Sequence, residues 1–293
     1  MRGIFLAIVI LFLLIFIFLA GIGSGLLLSG DSSFSSGDKV AVLRVEDVIL
    51  DSQIYLESLD AIAKDDSVKA LVVRIDSPGG AVGPSQEIFS ELKKLGKELP
   101  IVASIGGVGA SGGYYIACAA QKIYANPGAI TGSIGVIAQF ASYEKLLDWA
   151  MIDVEVIKSG KYKDVGSSFR KMNEADKQYI QQLIDNVYEQ FKSAVADARD
   201  LDTKQIDKVA DGKIYTGEQA LNLKLIDELG TINDAISMAG DLGGIEGKPE
   251  VIYFPKKKSR LMDLLNSKVA TSFLTGVPTK SRFGLFYLAD IIN

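Results

Sequence analysis

Three regimes of hydrophobic patterning follow one another along the chain. Gly3 to Gly23 carry no polar side chain, a run of 21 residues. As a helix rising about 1.5 Å per residue this run measures ~32 Å, against a hydrocarbon core of ~30 Å. Arg2 is the one side-chain charge ahead of it. Residues 1–23 are therefore expected to form a single membrane-spanning anchor with a cytoplasmic N-terminus. The run is longer than the ~7–15 apolar residues of a cleaved signal peptide, and Phe18-Leu19-Ala20 fits an A-x-A-like cleavage site poorly. Residues 24–38, rich in Ser and Gly, read as a flexible tether.

Beyond the tether the period changes. Val40–Val45 and Ala70–Ile75 are short, β-branched apolar runs with polar borders, the pattern of buried strands. Ile101–Ile105, Ile123–Ala125 and Val154–Ile157 are expected as further strands. Leu56, Leu59, Ile62 and Ala63 recur at helical spacing between the first two. Asn173 is placed to cap a long helix carrying Ile180, Leu183, Ile184, Val187, Phe191 and Val195 on one face. Thr216 and Gln219 have capping-box spacing for another helix. Alternating strands and helices predict an α/β domain over 39–265, with a mostly parallel sheet covered on both faces. The pattern loosens from Gly243; Lys256, Lys257, Lys258 and Arg260 read as a solvated basic run, and 266–293 as a C-terminal tail.

Composition narrows the chemistry. Of 293 residues 48% are hydrophobic, ample for a full core. Lys plus Arg number 31 against 36 Asp plus Glu, a net charge of −5, which argues against an electrostatic nucleic-acid binder. The single cysteine, Cys118, excludes an internal disulfide. The absence of histidine excludes Ser-His-Asp and Cys-His catalysis and any metal site that needs imidazole. Proton transfer falls to Lys, Asp, Glu, Tyr or Cys, and neither a metal nor a cofactor is expected.

Many of the 29 glycines crowd between Gly79 and Gly135. Asp76-Ser-Pro-Gly-Gly80 follows one strand, and Gly106-Gly-Val-Gly-Ala-Ser-Gly-Gly113 lies between another strand and an apolar helix. In open α/β folds ligands bind beyond the carboxyl ends of strands, where both loops fall. Gly107-x-Gly109-x-x-Gly112 matches a dinucleotide fingerprint. The acid such a site needs about 20 residues later is missing, since Leu99 to Tyr143 contain no Asp or Glu. The rival reading makes Ser111 a nucleophile at a strand-to-helix turn, with backbone N–H groups from Gly112 and Gly80 facing the developing oxyanion. The plain alternative is that Ser111 only caps the following helix. With histidine absent, a desolvated lysine can act as base; Lys158, Lys161 and Lys163 follow the expected strand at 154–157, and spacing does not choose among them.

Four motifs in order, Asp76-Ser-Pro-Gly-Gly80, Gly109-Ala-Ser-Gly-Gly-Tyr-Tyr115, Thr131-Gly-Ser-Ile-Gly135 and Lys158-Ser-Gly-Lys-Tyr-Lys-Asp164, resemble the signal peptide peptidase A family in its short, single-repeat form. The likeness runs from about Val40 to Leu265 and includes Tyr215-Thr-Gly-Glu-Gln-Ala220 and Leu225-Ile-Asp-Glu-Leu-Gly230. The resemblance implies a Clp-protease/crotonase-type fold and a membrane-anchored serine peptidase. It implies Ser111 as nucleophile, Lys163 as general base, Ser133 as the residue orienting that lysine, and Gly80 and Gly112 as oxyanion donors. Implied substrates are remnant signal peptides, with Tyr114 and Tyr115 expected along the groove and the peptidase domain outside the cytoplasm. The family also implies a homo-oligomeric ring of about eight subunits, in which Ser111 of one chain meets Lys163 of the next. There are two departures: Lys224 stands where the family has glycine at a helix end, and Glu46-Asp47 interrupts the glycine after the first strand. Two other readings are a crotonase-type acyl-CoA enzyme, for which 99–143 lacks the carboxylate, and a non-catalytic membrane scaffold.

Overall fold

Strands buried on both faces need cover on both sides, and the order of elements supplies it. A computed structural model describes residues 13–17, 37–255 and 286–288. The chain divides into two units, Met1–Gly37 and Asp38–Asn293. In the first, Leu13–Ile17 are helical with exposed side chains. The rest of the expected anchor over 1–23, the tether up to residue 36 and the basic run at 256–260 lie outside the described residues. Among the described residues no helix is long and apolar enough to cross a membrane.

In the second unit, β1 (Lys39–Glu46) and β2 (Val68–Ser77) pair in parallel, with Val40 opposite Ala70 and Val45 opposite Ile75. β4 (Ile101–Ala110) lies on the far side of β2, and β9 (Glu250–Phe254) on the far side of β1. β4 is long enough to serve two neighbours. Its first half pairs with β5 (Lys122–Ala125), which in turn carries β8 (Glu228–Leu229). Its second half pairs with β6 (Ile130–Gly132), beside which β7 (Ile214–Thr216) runs antiparallel. Gly106 and Gly107 stand at this fork. A separate two-stranded sheet joins β3 (Gly79–Ala81) to β10 (Phe286–Leu288).

One face of the sheet is covered by α1 (Gln53–Ala63), α2 (Val82–Leu95), the six-residue α3 (Gly112–Ala117) and α5 (Glu174–Arg199). Leu43, Ile75, Ile105, Ile88, Leu92 and Phe191 bury there. α8 (Ile232–Leu242) covers the other face, placing Ala235 and Ala239 over Val42, Val72 and Val102. The remaining helices are α4 (Glu144–Trp149), α6 (Thr203–Val209) and α7 (Gly217–Asn222).

The expected caps form. Asn173 Oδ1 accepts from the Asp176 N–H at 2.9 Å while Asp176 Oδ2 accepts from the Asn173 N–H at 3.2 Å. Thr216 and Gln219 make the same reciprocal pair at the start of α7. The two departures keep the backbone a glycine would take: Asp47 has φ +58° and Lys224 φ +60°, a left-handed conformation that costs an L-residue about 1–2 kcal/mol.

One expected strand does not form. Residues 152–158 belong to neither helix nor strand, and Val154, Val156 and Ile157 are exposed, Ile157 at 94%. A strand requires a ladder partner for its amides, and none pairs with this segment among the described residues.

Candidate active site

Two glycine-bearing turns meet at the carboxyl end of the parallel sheet. β4 ends at Ala110, and Ser111 turns the chain into α3 with φ +52° and ψ −118°. These angles lie outside the regions open to ordinary residues, a strain of about 1–3 kcal/mol. The Ser111 side chain makes no cap hydrogen bond to α3. The capping alternative therefore fails. Ser111 is 1% exposed, and its Oγ has no hydrogen-bond partner among the described residues. A buried, unpaired hydroxyl costs a further 1–3 kcal/mol or so. Strain and an orphaned hydroxyl both cost stability at this one residue.

The surroundings explain the glycines. A Cβ on Gly112 would stand 2.6 Å from Ser85 Oγ and 3.2 Å from the Gly80 nitrogen, so glycine lets the two turns approach. A Cβ on Gly80 would collide with the backbone of Ile49. Ser77, buried beneath the turn, donates its hydroxyl to the Asp47 carbonyl at 2.5 Å and accepts the Gly79 N–H at 3.1 Å. Ser85 donates to the Ala81 carbonyl at 2.9 Å. Neither Ser77 nor Ser85 was singled out by sequence reasoning, because a serine that supports a turn looks like any other. The structure thus brings the Gly80 and Gly112 turns together beside Ser111.

Ser133 stands close by. The Ser111 N–H donates to the Gly132 carbonyl at 2.8 Å, and Ser133 follows Gly132 with φ +51° and its N–H bonded to the Lys213 carbonyl at 2.7 Å. Ser133 borders a cavity of about 790 Å³ whose wall includes Ile134, Val136, Ile184, Tyr188 and Ile214. Ser111 is not in that wall.

Residues 93–246 match the sequence pattern of peptidase family S49. A Synechocystis sp. protein carrying a protease name is 44% identical over 214 residues, 72% of this chain and 77% of that one. An Enterococcus faecium protein carrying the name signal peptide peptidase SppA is 35% identical over 216 residues, covering 69% of this chain and 63% of its own. The chain belongs to peptidase family S49. It is a serine-type peptidase of the signal peptide peptidase A family. Protease 4 of Haemophilus influenzae is 33% identical over 70% of this chain but only 35% of its own length.

In this S49 peptidase the three candidate lysines differ in their commitments. Lys158 donates to Asp164 Oδ1 at 2.5 Å and to the Lys161 carbonyl at 3.2 Å. Lys161 lies over the Tyr162 ring, 5.0 Å from its centroid. Lys163 is exposed, and its ammonium makes no hydrogen bond or ion pair among the described residues. Within one chain it does not reach the Ser111 hydroxyl, nor does the Ser133 hydroxyl hydrogen-bond any lysine.

What the lysine segment does have is an anchor. Arg170 grips Asp164 through Nε and Nη2 at 2.8 and 2.9 Å, and its Nη1 also binds Asp176. Hydrogen bonds from Arg170, then Lys158, hold the Asp164 carboxyl well below the usual carboxylate range. The Asp176 carboxyl is lowered chiefly by Arg170 as well. Arg170 therefore ties the Lys158–Asp164 segment to the capped start of α5, a role with no motif to announce it.

Two other candidates drop out. Burial pushes the Cys118 thiol up to about 12, which suppresses the thiolate a cysteine nucleophile needs. Tyr114 does not line the groove as expected: it is fully buried and donates to the Leu225 carbonyl at 2.7 Å. Tyr115 instead faces Phe89 and Phe191. Among the described residues no group of His, Cys, Asp and Glu is arranged to hold a metal ion.

Proposed function

We propose that this S49 peptidase is a membrane-anchored endopeptidase with a Ser111–Lys163 dyad, acting on remnant signal peptides and other apolar or unfolded peptides. The observation that supports the reading is the buried, strained Ser111, whose hydroxyl has no partner among the described residues, set beside the converging Gly80 and Gly112. The neutral Lys163 amine takes the Ser111 proton as Oγ attacks a peptide carbonyl. The N–H groups of Gly80 and Gly112 hold the oxyanion, the protonated lysine gives its proton to the leaving amine, and water clears the acyl-enzyme by the reverse route. Ser133 orients the lysine.

In this proposal the missing half of the dyad comes from a neighbour. Lys163 is exposed in the single chain, and the segment before it displays Trp149, Met151 and Ile157 at 81%, 91% and 94% exposure. Apolar side chains this open favour burial against another subunit. A head-to-tail contact whose rotation closes forms a ring, of about eight subunits by family likeness. Covering the amine with a neighbour favours its neutral form. The apolar run at 3–23 anchors the ring in the cell membrane, with the N-terminus cytoplasmic and the peptidase domain outside, where signal peptide remnants lie. The relative named signal peptide peptidase supports this substrate class.

The test is hydrolysis of an unfolded protein and an apolar peptide by the full chain and by Ser111→Ala. Activity lost in the variant is expected; equal activity in both overturns the dyad.

A further inference from the structure

Lys163 is carried on a run of turns, outside any helix or strand. Its N–H donates to the Gly160 carbonyl at 3.2 Å, and the Val165 and Ser167 N–H groups reach the Tyr162 and Asp164 carbonyls at 3.3 and 3.1 Å. Exposed turns held by a few backbone bonds open easily. Yet both residues that flank Lys163 are fastened to the start of α5. The Tyr162 ring stacks on that of Tyr179, with centroids 4.9 Å apart. Asp164 is gripped by Arg170, which also holds Asp176.

Arg170 makes five hydrogen bonds, as many as a guanidinium has N–H donors. Nε binds Asp164 Oδ2 at 2.8 Å, and Nη2 binds Asp164 Oδ1 at 2.9 Å and the Asp164 carbonyl at 3.4 Å. Nη1 binds the Lys171 carbonyl at 3.1 Å and Asp176 Oδ2. Asp176 is 1% exposed and is itself part of the Asn173 capping box. The fork therefore joins the lysine turn to the best-fixed end of a 26-residue helix.

The same bonds settle which partners Asp164 has. The charged groups around the turn are Lys158, Lys161, Asp164 and Arg170 on the segment itself, and Glu174, Asp176 and Lys177 on the first turn of α5, with Tyr162 and Tyr179 as the titratable phenols. Glu174 and Lys177 pair with each other at 2.7 Å. Arg170 takes both Asp164 oxygens and Lys158 shares Oδ1. A carboxylate left free beside an amine favours the protonated amine, the form that cannot act as a base.

We propose that Arg170 and Tyr179 are positioning residues for the reaction: they mount the Lys163 turn on α5, and Arg170 keeps the adjacent Asp164 carboxylate away from the lysine amine. The inference rests on the Ser111–Lys163 reading. A lysine amine at the end of a flexible four-carbon stem reaches a hydroxyl productively only when its backbone is fixed. Arg170 and Tyr179 touch neither the substrate nor the reacting atoms; they act through the residues on either side of Lys163.

Steady-state kinetics of the full chain on an apolar peptide, taken across the alkaline range, tests this. Arg170→Ala should lower kcat by about ten-fold or more with KM nearly unchanged, and its rate should rise about one pH unit later than in the wild type. Adding Asp164→Asn to Arg170→Ala removes the freed carboxylate, so the rise should return to the wild-type pH while kcat stays low. Arg170→Lys keeps the charge but loses the fork, and should recover little of kcat; it decides the matter if Arg170→Ala does not fold. Tyr179→Ala should lower kcat, and Tyr179→Phe, which keeps the ring, should not. A variant that merely folds less well loses active sites without moving the pH profile. Wild-type kcat in Arg170→Ala or Arg170→Lys overturns the mount, and an unmoved profile in Arg170→Ala overturns the shielding of the amine. Lys163→Ala separates the two readings. Full activity there overturns the dyad and this inference together, whereas an inactive Lys163→Ala beside unaffected Arg170 variants overturns the inference alone.

Discussion

The backbone N–H of Ser111 donates to the carbonyl of Gly132 at 2.8 Å, so the serine's strained turn is pinned by the strand that delivers Ser133 one residue later. Gly132 itself has φ +79°, and a Cβ there would press on the Tyr215 ring at 2.7 Å and the Lys213 carbonyl at 3.1 Å. Gly132→Ala is expected to lower kcat by about ten-fold or more, since displacing a positioned nucleophile is costly, while the chain still melts cooperatively. Steady-state kinetics beside a thermal melt checks this.

Mixing inactive Ser111→Ala and Lys163→Ala subunits before assembly should restore activity. With random order in a head-to-tail ring, roughly a quarter of the interfaces pair an intact serine with an intact lysine. No recovery from verified mixed rings would place both residues of each site in one chain.

The rate should climb into alkaline pH, because a lysine base works only when neutral and no histidine is present to titrate near neutrality. A kcat/KM profile peaking near pH 5, about where carboxylates titrate, would contradict a lysine base.

Acid should weaken the anchor of the lysine segment. Asp164 and Asp176 have folded-state pKa values depressed by Arg170. Their stabilisation is present above the unfolded carboxylate value of ~3.9 and is lost as pH falls through the lower folded values. Denaturant titrations should therefore show the wild type losing stability below about pH 4, and Asp164→Asn losing less over the same range. Identical pH dependence in both would sink this account.

Lys224→Gly should stabilise the chain by about 0.5–1 kcal/mol without changing activity. Glycine relieves the left-handed strain at φ +60°, partly offset by its greater freedom in the unfolded chain. The midpoint of chemical denaturation reads this directly.

The sequence showed most clearly where local signals were strong. Val40–Val45 and Ala70–Ile75 read as buried strands because apolar runs without alternation are covered on both faces, and Asn173 and Thr216 read as caps because the cap bond spans three residues. Val154–Ile157 misled for the same reason. An apolar β-branched run has the same appearance whether it pairs in a sheet or stays exposed on the chain, as these residues do.

By itself, the sequence determined the α/β architecture, the exclusion of histidine chemistry, and the two glycine turns with Ser111 between them. These follow from residue types and short spacings. The tertiary structure alone decided that the Ser111 hydroxyl is buried without a partner among the described residues, that Arg170 anchors the lysine segment to α5, and that Tyr287 lies against Gly80. Gly80 and Tyr287 are separated by some two hundred positions in the sequence. No local period or spacing encodes such a meeting; it exists only once the sheet has brought both segments to the same edge.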